Sequence, residues 1–508
     1  MALKEGGEVA ISKVLVANRG EIAVRVLRAC REAGLQTVAV HSEADRAARH
    51  VFLADEVVEI GSAAAADSYL RMDRILDAAH RTGADAVHPG FGFLAENAGF
   101  ARAVSDAGMT WIGPSAEVIE LMGSKTGSRL HMAAAGVPVV PGFEGTGDET
   151  SEELGPPAAD LGYPVMVKAS AGGGGKGMRL VSGPEELIEA IEGARREARS
   201  AFGDDRVYLE KAILEPRHVE VQVFGDRQGR AVHLYERECS IQRRHQKIVE
   251  ETPSTAVDDA LRKQMGEAAV KAAESVGYEG AGTVEFLLDR NGSFYFLEMN
   301  TRIQVEHPIT EMLTGIDLVH WQLRVAAGES LPLVQDEIPR RGHALECRIY
   351  AEDPAKGFLP STGRLLVVEE PGGGGVRVDS GVSRGDEVSA FYDPMLAKVV
   401  TQGATREESI ARMERALAEY VILGVTTNIP FLLDVLRHPA FRAGDTTTDF
   451  IARHMEPWAP SVEGGELEAL IAASMFEELR PRPRGGAGGE RRQGDPHSPW
   501  ADLGGWGR

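Results

Sequence analysis

Cysteine is scarce in this chain, and long apolar runs are missing. Only Cys30, Cys239 and Cys347 occur among 508 residues, which is too few and too scattered for a disulfide framework or a zinc site. No apolar run approaches the roughly 18 residues that a membrane-spanning helix needs. The first seven residues lack the apolar stretch of a secretory signal. These absences predict a cytoplasmic globular protein that does not associate with a membrane.

Positive charge is also in deficit. Lysine and arginine number 55 against 77 aspartates and glutamates, which gives a net charge of −22. This balance argues against nucleic acid or an anionic membrane as the main partner. The length predicts roughly three domains, and a hydrophobic fraction of 43% is enough for a sizeable core.

The first elements predict a βαβ unit. A short apolar run at 13–17 is followed by helical spacing over 21–33 and a second buried strand at 37–41. The connecting loop lacks the Gly-x-Gly-x-x-Gly pattern, so dinucleotide binding is not supported. Residues 88–97 form a glycine-rich loop after a strand, which is typical of a ligand crevice, although a plain turn fits equally well. Downstream, the helical spacing of apolar residues at 311–327 and at 407–424 predicts two further helices.

Two apolar stretches, TVEFLLD and SFYFLE, predict a hairpin that carries a metal site. Asn291-Gly292 between them is the preferred two-residue hairpin turn. If this turn sets the register, Glu285 lies directly opposite Glu298, and two opposed carboxylates repel each other. A divalent cation such as Mg²⁺ or Mn²⁺ would remove the repulsion, and Asn300 could add a neutral oxygen. A solvated acidic pair on an edge hairpin is the alternative.

The stretch that follows, 297–308, concentrates polar side chains. Polar residues occupy every second position from 298 to 306, with Met299, Ile303 and Val305 as apolar spacers. This alternation predicts an extended segment with one polar face. A surface strand can alternate in the same way, but it seldom carries arginine, glutamine and glutamate in this order beside a buried-looking run.

A glycine-rich stretch at 172–177 lies between two short apolar strands, and Lys168 lies in the first of them. The stretch lacks the serine or threonine and the helix that would follow a Walker phosphate loop. Bare backbone amides between two strands can close on phosphate oxygens. We therefore interpret the stretch as a phosphate-binding flap, with a flexible linker as the alternative.

Cations are clustered in two further places. Four cations or potential cations lie within 243–247, which in an acidic protein suggests an anionic ligand, although a charged surface loop explains them equally well. Arg348 lies in an alternating strand predicted at 343–352. Its guanidinium is either salt-bridged to a neighbour or aimed at a substrate.

Together these stretches resemble biotin carboxylase, the ATP-grasp component of biotin-dependent acyl-CoA carboxylases of the acetyl-CoA and propionyl-CoA carboxylase type. The resemblance rests on the flap at 172–179, on 236–251 (ERECSIQRRHQKIVEE) and on 298–308 (EMNTRIQVEHP). Residues 16–22 (VANRGEI) and the His-Pro-Gly at 88–90 resemble the N-terminal domain of the family. Several long motifs in the right order, between about residues 11 and 454, make the resemblance specific.

The resemblance implies a three-domain fold of mixed α/β and α+β class. A doubly wound, Rossmann-like N-terminal domain would span 1–123, and an ATP-grasp domain 124–330 would include a lid at about 140–212. A C-terminal α+β domain would span 331–455. Residues 456–508 end in a stretch rich in arginine, proline and glycine, and we expect a largely disordered linker or tail there.

The resemblance also implies ATP and Mg²⁺ (or Mn²⁺) as ligands. The lysines and the flap would contact the nucleotide phosphates, residues 210–213 would hold adenine, and His218 would hold the ribose. The implied ATP-binding residues are Lys125, Lys168, Gly173, Gly174, Gly175, Lys176, Gly177, Glu210, Lys211, Ile213, His218, Gln242, His245 and Leu287. The implied metal ligands are Glu285, Glu298 and Asn300, the same set that the hairpin argument gives.

Bicarbonate and biotin are the other implied substrates. The implied bicarbonate and biotin residues are Lys247, Arg302, Gln304, Val305 and Arg348, and the catalytic set is Lys247, Arg302, Glu306 and Arg348. Glu306 would deprotonate bicarbonate, which would attack the γ-phosphoryl group to give carboxyphosphate. Arg348 would stabilise the biotin enolate. Because carboxyphosphate hydrolyses readily, we expect a lid that excludes water.

The sequence departs from the family pattern at two points, and the second affects the expected partners. Phe91 stands where the family usually has tyrosine, so a phenol hydrogen bond is absent. No Met-Lys dipeptide occurs in the chain, so the biotinyl-lysine motif of the family is absent. We therefore expect the biotin carboxyl carrier protein and the carboxyltransferase subunits to be separate chains, with this chain performing the first half-reaction of an acyl-CoA carboxylase in fatty acid metabolism. The family also predicts a homodimer.

Two other functions share part of this pattern. Another ATP-grasp ligase, such as half of a carbamoyl-phosphate synthetase or a purine-pathway carboxylase, shares the flap and the metal carboxylates. It does not share the residues at 302–306 together with those at 242–247. The second alternative is a catalytically silent nucleotide-binding scaffold of a carboxylase complex. Bicarbonate-dependent ATP cleavage stimulated by biotin tests the first alternative, and a metal-dependent ATPase assay tests the second.

Overall fold

Parallel strands of β-branched residues build the first part of the chain. The computed structural model describes residues 11–143, 149–169, 178–244, 246–460 and 474–475. The first elements are β1 (Lys13–Val16), α1 (Gly20–Glu32), β2 (Gln36–Ser42), β3 (Glu56–Gly61), α2 (Met72–Thr82), β4 (Ala86–His88), α3 (Ala98–Asp106), β5 (Thr110–Trp111) and α4 (Ala116–Gly123). The strands form a parallel sheet in the order β3-β2-β1-β4-β5.

Helices cover both faces of this parallel sheet. Val14 and Val16 of β1 belong to one core with Val26 of α1, whereas Leu15 belongs to a second core with Phe100 of α3. Since successive strand residues point to opposite faces, the two cores lie on the two sides of the sheet. The predicted doubly wound arrangement is confirmed, and the first strand, helix and strand end within one residue of the predicted bounds.

A smaller antiparallel sheet follows in the chain. Its elements are α5 (Lys125–Ala134), β6 (Gly142–Phe143), α6 (Gly155–Leu161), β7 (Val165–Ala169), β8 (Arg179–Val181), α7 (Pro184–Phe202) and β9 (Val207–Lys211). The strands are ordered β6-β9-β7-β8 and pack on α6 and α7 through a separate apolar core. Strands β7 and β8 flank the predicted glycine flap, but the flap itself, with Gly173, Gly174, Gly175, Lys176 and Gly177, lies outside the described residues.

Longer strands make up the centre of the chain. The elements are β10 (Arg217–Gly225), β11 (Ala231–Arg243), β12 (Gln246–Thr252), α8 (Asp259–Ser275), β13 (Gly280–Leu288), β14 (Phe294–Asn300), α9 (His307–Thr314), α10 (Leu318–Ala326) and β15 (His343–Tyr350). Helix α8 packs on β10 and β11, and its Met265 and Ala269 belong to the same apolar core as Val221 of β10. The segment from β10 to β15 therefore supplies long, well-supported strands.

The last elements surround a further core. They are β16 (Glu352–Asp353), β17 (Leu359–Pro360), β18 (Gly363–Arg364), β19 (Val367–Glu369), β20 (Val376–Ser380), β21 (Glu387–Val388), β22 (Met395–Gly403), α11 (Arg406–Glu419), β23 (Val421–Leu423), α12 (Ile429–Arg437), α13 (Pro439–Arg442) and α14 (Phe450–His454). Met413 of α11 and Leu432 of α12 pack in this core against Cys347 of β15.

One eight-stranded sheet joins the central strands to the last part of the chain, in the order β14-β13-β10-β11-β12-β15-β22-β20. The junction is the antiparallel pair of β12 and β15, in which Glu250 lies opposite Glu346. Because this pairing is continuous, residues of both parts occupy one surface. Strands and helices alternate irregularly in these parts and the strand pairs are antiparallel, which agrees with the predicted mixed α/β and α+β class.

Two predicted helices differ from the structure. The helix predicted at 311–327 is two helices, α9 and α10, separated at Gly315, whose φ of 73° ends α9 in the left-handed conformation. Asp317 then caps α10 by accepting a hydrogen bond from the His320 amide. The helix predicted at 407–424 ends at Glu419, and the residues after it form β23. In both cases capping and strand pairing override apolar periodicity.

The chain divides into two units, Met1–Ala459 and Pro460–Arg508. Trp458 packs edge-on against Phe431 and donates a hydrogen bond to Asp434, so the folded part extends past the predicted boundary at residue 455. The predicted disorder beyond that point falls mostly outside the described residues and stays a prediction. Within the described ranges, no helix combines the length and the apolar character needed to cross a membrane.

Gly381 provides a test of how the parts of the first unit fit together. A Cβ at this position would lie 2.5 Å from the Glu21 backbone nitrogen and 2.8 Å from the Gly20 carbonyl carbon, so the two backbones would have to separate. We expect Gly381→Ala to lower the free energy of unfolding by about 1–3 kcal/mol, as overpacking does. Denaturant unfolding checks this value. Gly372→Ala is the control, because a Cβ there meets no atom within 4 Å, and equal stability losses in the two variants would contradict the tight contact.

Candidate active site

A single large cavity of about 1270 Å³ brings most of the predicted site residues together. Residues from the parallel sheet, the small sheet and the eight-stranded sheet all line it. The predicted residues on its wall are Lys125, Lys168, Glu210, Lys211, Ile213, His218, Gln242, Lys247, Glu285, Leu287, Glu298, Asn300, Arg302, Gln304, Val305 and Arg348. Glu306 is fully buried behind this wall, and His245 lies outside the described residues.

The hairpin that carries the two carboxylates has the predicted pairing, but not the predicted turn. Glu285 of β13 lies opposite Glu298 of β14. The turn is longer than two residues, because the Asp289 amide bonds to the Ser293 carbonyl and the Asp289 side chain caps the loop. Near the turn the register is therefore shifted by one residue, and a β-bulge before Glu298 restores it. The carboxylates face each other because of the bulge rather than because of an Asn-Gly turn.

The opposed carboxylates are in unequal surroundings. Glu285 accepts hydrogen bonds from Asn300 and Gln304 at 2.9 Å, and its Oε2 lies 2.8 Å from the ring nitrogen Nε2 of His218. Although burial alone would raise it, the nearby ammonium of Lys247 holds the pKa of Glu285 well below its usual value. Withdrawal from bulk water and the charge of Glu285 raise the pKa of Glu298.

These surroundings fit a divalent cation. Glu285 and Glu298 lie on directly opposed strand positions, where like charges repel each other, and a cation between them would remove the repulsion. Carboxylate oxygens and the amide oxygen of Asn300 are ligands that Mg²⁺ and Mn²⁺ accept. In this structure the Asn300 oxygen accepts a hydrogen bond from Arg302 at 2.9 Å. These three side chains are therefore suited to hold a metal ion.

The segment after the hairpin is not the extended strand that its alternation predicts. Strand β14 ends at Asn300, residues 301–306 turn, and α9 begins at His307 with Glu306 as its N-cap residue. The turn is held by Arg302, which donates to Glu96 at 2.9 Å and to the Ile303 carbonyl at 3.2 Å. The polar residues still face one cavity, because the turn, and not a pleat, directs them there.

Lys247 is the centre of the buried charges. Its ammonium lies 2.5 Å from Glu220, 2.8 Å from Glu285 and 2.7 Å from Glu306. An ammonium has three N–H donors, so all of them are used by carboxylates. The side chain that the sequence assigns to an anionic ligand is thus held by three acidic residues, and an incoming anion would have to share its charge with them.

Glu306 connects two cations. Its Oε1 accepts from Lys247 at 2.7 Å and its Oε2 accepts from Arg348 at 3.0 Å. Burial would raise the pKa of Glu306, but Lys247, Arg348 and the nearby Arg237 hold it well below the usual value. The group is therefore ionised at neutral pH and able to accept a proton. Substrate anions that share the charge of Lys247 would raise its affinity for that proton.

Arg348 is clamped between two glutamates. Its Nε donates to Glu250 at 2.6 Å, and its Nη2 donates to Glu306. Glu250 is fully buried, and burial raises the pKa of its carboxyl to about 7 against the opposing charge of Arg348. Arg348 fits both predicted alternatives, a salt bridge and a substrate contact. It is ion-paired with two glutamates, and it also lines the cavity.

The sequence reasoning missed several residues that build this site. Glu96 orients Arg302, Glu220 holds Lys247, and Glu250 holds Arg348. Arg237 is fully buried and donates to Glu220 at 2.5 Å. One signal was available for Glu220: it follows His218 by two residues in an alternating strand, so both face the same side. The contact with Glu96 spans two distant segments and has no local signal.

The far end of the cavity departs in part from the implied adenine contacts. The Glu210 carboxylate is ion-paired with Lys168. The Lys211 ammonium donates to the backbone carbonyls of Gly162 and Tyr163. Both side chains therefore stabilise the small sheet, and the backbone from 210 to 213 is the part that can contact a base.

Aromatic side chains also line the cavity. Phe91 lines it and packs against the core of the parallel sheet, as expected for a ring that lacks the tyrosine hydroxyl. The Arg19 guanidinium lies 4.2 Å from the ring centre of Tyr392 and is ion-paired with Asp45. This contact joins the parallel sheet to the loop before β22 at the cavity mouth.

Three family models match almost the whole folded chain. The biotin carboxylase N-terminal domain matches residues 10–119, and the biotin carboxylase C-terminal domain matches residues 346–453. Between them, the ATP-binding domain of the carbamoyl-phosphate synthase L chain matches residues 124–334. Together with the carboxylate pair and the clustered cations, these matches define an ATP-grasp ligase.

Curated relatives narrow this class. The biotin carboxylase of Halalkalibacterium halodurans is 55% identical over 445 residues, which cover 87% of this chain and 98% of that protein. The mitochondrial methylcrotonoyl-CoA carboxylase subunit alpha of Rattus norvegicus is 52% identical over 466 residues, and these cover 92% of this chain but only 65% of the subunit. The chain belongs to the biotin carboxylase family.

A solved structure agrees with the fold. The biotin carboxylase domain dimer of Hydrogenobacter thermophilus 2-oxoglutarate carboxylase, in complex with MgADP, ADP and bicarbonate, has a TM-score of 0.82 and 50% identity to this chain. The match covers 87% of this chain and 98% of that domain. The resemblance inferred from the sequence motifs, the fold class and the ligase activity are thus confirmed. The predicted cytoplasmic location stays a prediction, since relatives include mitochondrial subunits.

The pKa of Glu250 generates a pH prediction. Below about pH 7 its carboxyl is protonated, so Arg348 loses one of its two charged partners. We expect the rate of biotin carboxylation to fall on the acidic side with an apparent pKa near this value. Because Glu250→Gln mimics the protonated state at every pH, the variant should lack this limb and keep a lower, flat rate.

A pH–rate profile from pH 5.5 to 9 checks this expectation. Glu251→Gln is the matched control, because the neighbouring Glu251 is bound by His343 and Arg406 and its pKa is lowered. Its limb near pH 7 should remain. An unchanged acidic limb in the Glu250 variant would show that another group titrates there.

Proposed function

We propose that this chain carboxylates biotin with ATP and bicarbonate through carboxyphosphate, using the residues around the Lys247 cluster. The observation that carries the proposal is the position of Glu306. Its two oxygens contact Lys247 on one side and Arg348 on the other. One buried carboxylate therefore lies between a cation suited to hold bicarbonate and a cation suited to hold a second anion.

The nucleotide is proposed to occupy the cavity between the small sheet and the hairpin. Lys125 and Lys168 line this part and would contact phosphate oxygens, with the backbone at 210–213 against adenine. Glu285, Glu298 and Asn300 would hold Mg²⁺, which supplies positive charge to the phosphates when it is bound. The biotin carboxylase domain from Hydrogenobacter thermophilus, described with MgADP and bicarbonate, supports this choice of ligands.

In the first step the chain would activate bicarbonate. Lys247, Arg302 and Gln304 would hold the anion in line with the γ-phosphoryl group, together with the Val305 backbone. Glu306 would take the proton from the bicarbonate hydroxyl as that oxygen bonds to phosphorus and the bond to ADP breaks. Engagement of Lys247 by the anion removes part of the charge that depresses the pKa of Glu306. The base would thus become stronger when its substrate is bound.

In the second step carboxyphosphate would separate into CO₂ and phosphate. Phosphate would take the proton from N1′ of biotin, and that nitrogen would form a bond to the carbon of CO₂. Arg348 would stabilise the negative charge on the ureido oxygen, because a guanidinium stays charged at any working pH. Its two glutamate partners fix the direction in which the guanidinium points.

We further propose that biotin is presented by a carrier outside these residues, that a carboxyltransferase on another chain uses the product, and that the chain forms a homodimer. The absence of a Met-Lys dipeptide supports the first point. The dimer described for the Hydrogenobacter thermophilus domain supports the last one. Relatives that are methylcrotonoyl-CoA carboxylase subunits suggest that the final acceptor is an acyl-CoA. The domain boundaries 1–123 and 124–330 remain our proposal, and we propose that the third domain begins at 331 and includes Trp458, which packs on Phe431.

Two substitutions test the assigned roles. Glu306→Gln removes the base and Arg348→Ala removes the positive charge for the enolate, so both should lower biotin carboxylation by at least about a hundredfold, as loss of such groups does. ATP binding should persist, because neither side chain belongs to the nucleotide part of the cavity. Carboxylation is measured with free biotin, and ATP affinity by calorimetry.

Two exposed residues of the last part of the chain provide matched controls. Glu387→Gln and Arg384→Ala remove the same chemical groups at the surface and should leave both measurements unchanged. Near-normal carboxylation in the Glu306 or Arg348 variant would contradict the assignment.

A further inference from the structure

Lys398 is a fully buried lysine beside the proposed active site. It lies on β22 directly opposite Arg348 of β15, so the two side chains are on the same face of the sheet. Its ammonium lies 2.8 Å from Glu21 Oε1 of α1 and donates to the Val305 carbonyl at 2.8 Å. Asp379 of β20 is 4.0 Å away. One cation thus contacts the parallel sheet unit, its own sheet and the loop that precedes Glu306.

Such a lysine is costly for the fold. Removing an ammonium from water costs several kcal/mol even after relaxation, and an apolar side chain of similar volume often serves stability as well. The exposed fraction of both the Lys398 and the Glu21 side chain is 1% or less. A role in neutralising Glu21 would need only the ion pair. The hydrogen bond from Lys398 to the Val305 carbonyl is an additional contact. It lies next to Glu306, the proposed base, and the ion pair with Glu21 does not explain it.

The hydrogen bond from Lys398 to the Val305 carbonyl fixes the backbone next to Glu306, the proposed base. The Val305 carbonyl and the Glu306 amide belong to one planar peptide unit, so a donor that holds the carbonyl also sets the direction of that amide. Glu306 follows immediately and is the N-cap residue of α9. Lys398 therefore constrains the peptide that places the Glu306 carboxylate between Lys247 and Arg348.

The other partner of Lys398 is itself held in place. Glu21 lies in the first turn of α1, and Gly381, which follows β20, contacts the Glu21 backbone so closely that a Cβ would lie 2.5 Å from its nitrogen. The backbone of Glu21 contacts Gly381 and its side chain contacts Lys398, so both contacts hold α1 against this part of the sheet. The ammonium has little freedom to move away from the Val305 carbonyl.

We propose that Lys398 is a positioning residue for the bicarbonate step: by holding the Val305 carbonyl, it sets the geometry of the bicarbonate loop and of Glu306. The inference rests on the proposed function, since bicarbonate is assigned to this loop there. Loss of Lys398 leaves the nucleotide contacts intact, because none of its partners lies in that part of the cavity. The effect should therefore be selective for bicarbonate.

Three variants of the full chain separate positioning from charge pairing. Lys398→Met removes the donor with little change in length, Glu21→Gln removes the ion pair but keeps the donor, and the double variant removes both charges. Biotin-dependent phosphate release is measured while ATP and bicarbonate are varied separately. Thermal unfolding is followed for each variant.

We expect Lys398→Met to raise the KM for bicarbonate by about tenfold and to lower kcat, as loss of a hydrogen bond from a charged group does. The KM for ATP should stay within about twofold of the wild type. Glu21→Gln should leave the KM for bicarbonate nearly unchanged. The double variant should regain thermal stability relative to Lys398→Met, because Glu21, the carboxylate that contacts the ammonium, no longer carries an unpaired buried charge. It should nevertheless keep the high KM for bicarbonate.

Two results would overturn the inference. A double variant with the wild-type KM for bicarbonate would show that Lys398 only neutralises Glu21. Equal increases in the KM values for ATP and bicarbonate would show a general structural role. Failure of the proposed function itself is distinguishable, since the wild-type chain would then show no phosphate release that requires bicarbonate and biotin.

Discussion

The site depends on one constraint: several carboxylates are packed into a buried volume around the single ammonium of Lys247. Glu220, Glu285 and Glu306 each lie within 2.8 Å of it. Buried carboxylates are tolerated only when cations or donors compensate them. The side chains of Lys247, Arg237 and Arg348 supply that compensation. Binding of a metal ion and of an anionic substrate would redistribute the same charges. Substrate binding and activation of the base Glu306 are therefore electrostatically linked.

The eight-stranded sheet explains how the charges come to face each other. Arg237, Glu220, Glu285 and Glu298 occupy directly opposed positions on four adjacent strands, β11, β10, β13 and β14. Opposed residues project from the same face of a sheet, so the row is set by strand register alone. A second row on β15, β22 and β20 supplies Arg348 and the residues that surround it. The turn at 301–306 then inserts Glu306 between the two rows.

Much of this arrangement could be predicted from local sequence. Alternation and an apolar hairpin indicated the opposed pair of Glu285 and Glu298, whereas the predicted glycine flap lies outside the described residues and stays a prediction. The predicted two-residue turn was wrong, because Asp289 caps the loop through side-chain hydrogen bonds that sequence periodicity does not reveal. The extended segment after Asn300 was wrong for a similar reason, since alternating polarity does not distinguish a strand from a turn whose polar groups are held by tertiary contacts. Partners far apart in sequence, such as Glu96, Glu250 and Lys398, had no local signal. The family resemblance named the implied ligands, but not the residues that hold them in position.

The most direct test of the account is ATP cleavage by the purified chain with Mg²⁺, with bicarbonate and biotin each present or omitted. We expect phosphate release that requires bicarbonate and increases when biotin is added. A biotinylated carrier should also serve as the acceptor and increase phosphate release. Phosphate release that is indifferent to bicarbonate, to free biotin and to a biotinylated carrier would contradict the proposal that Glu306 and Arg348 act on these two substrates.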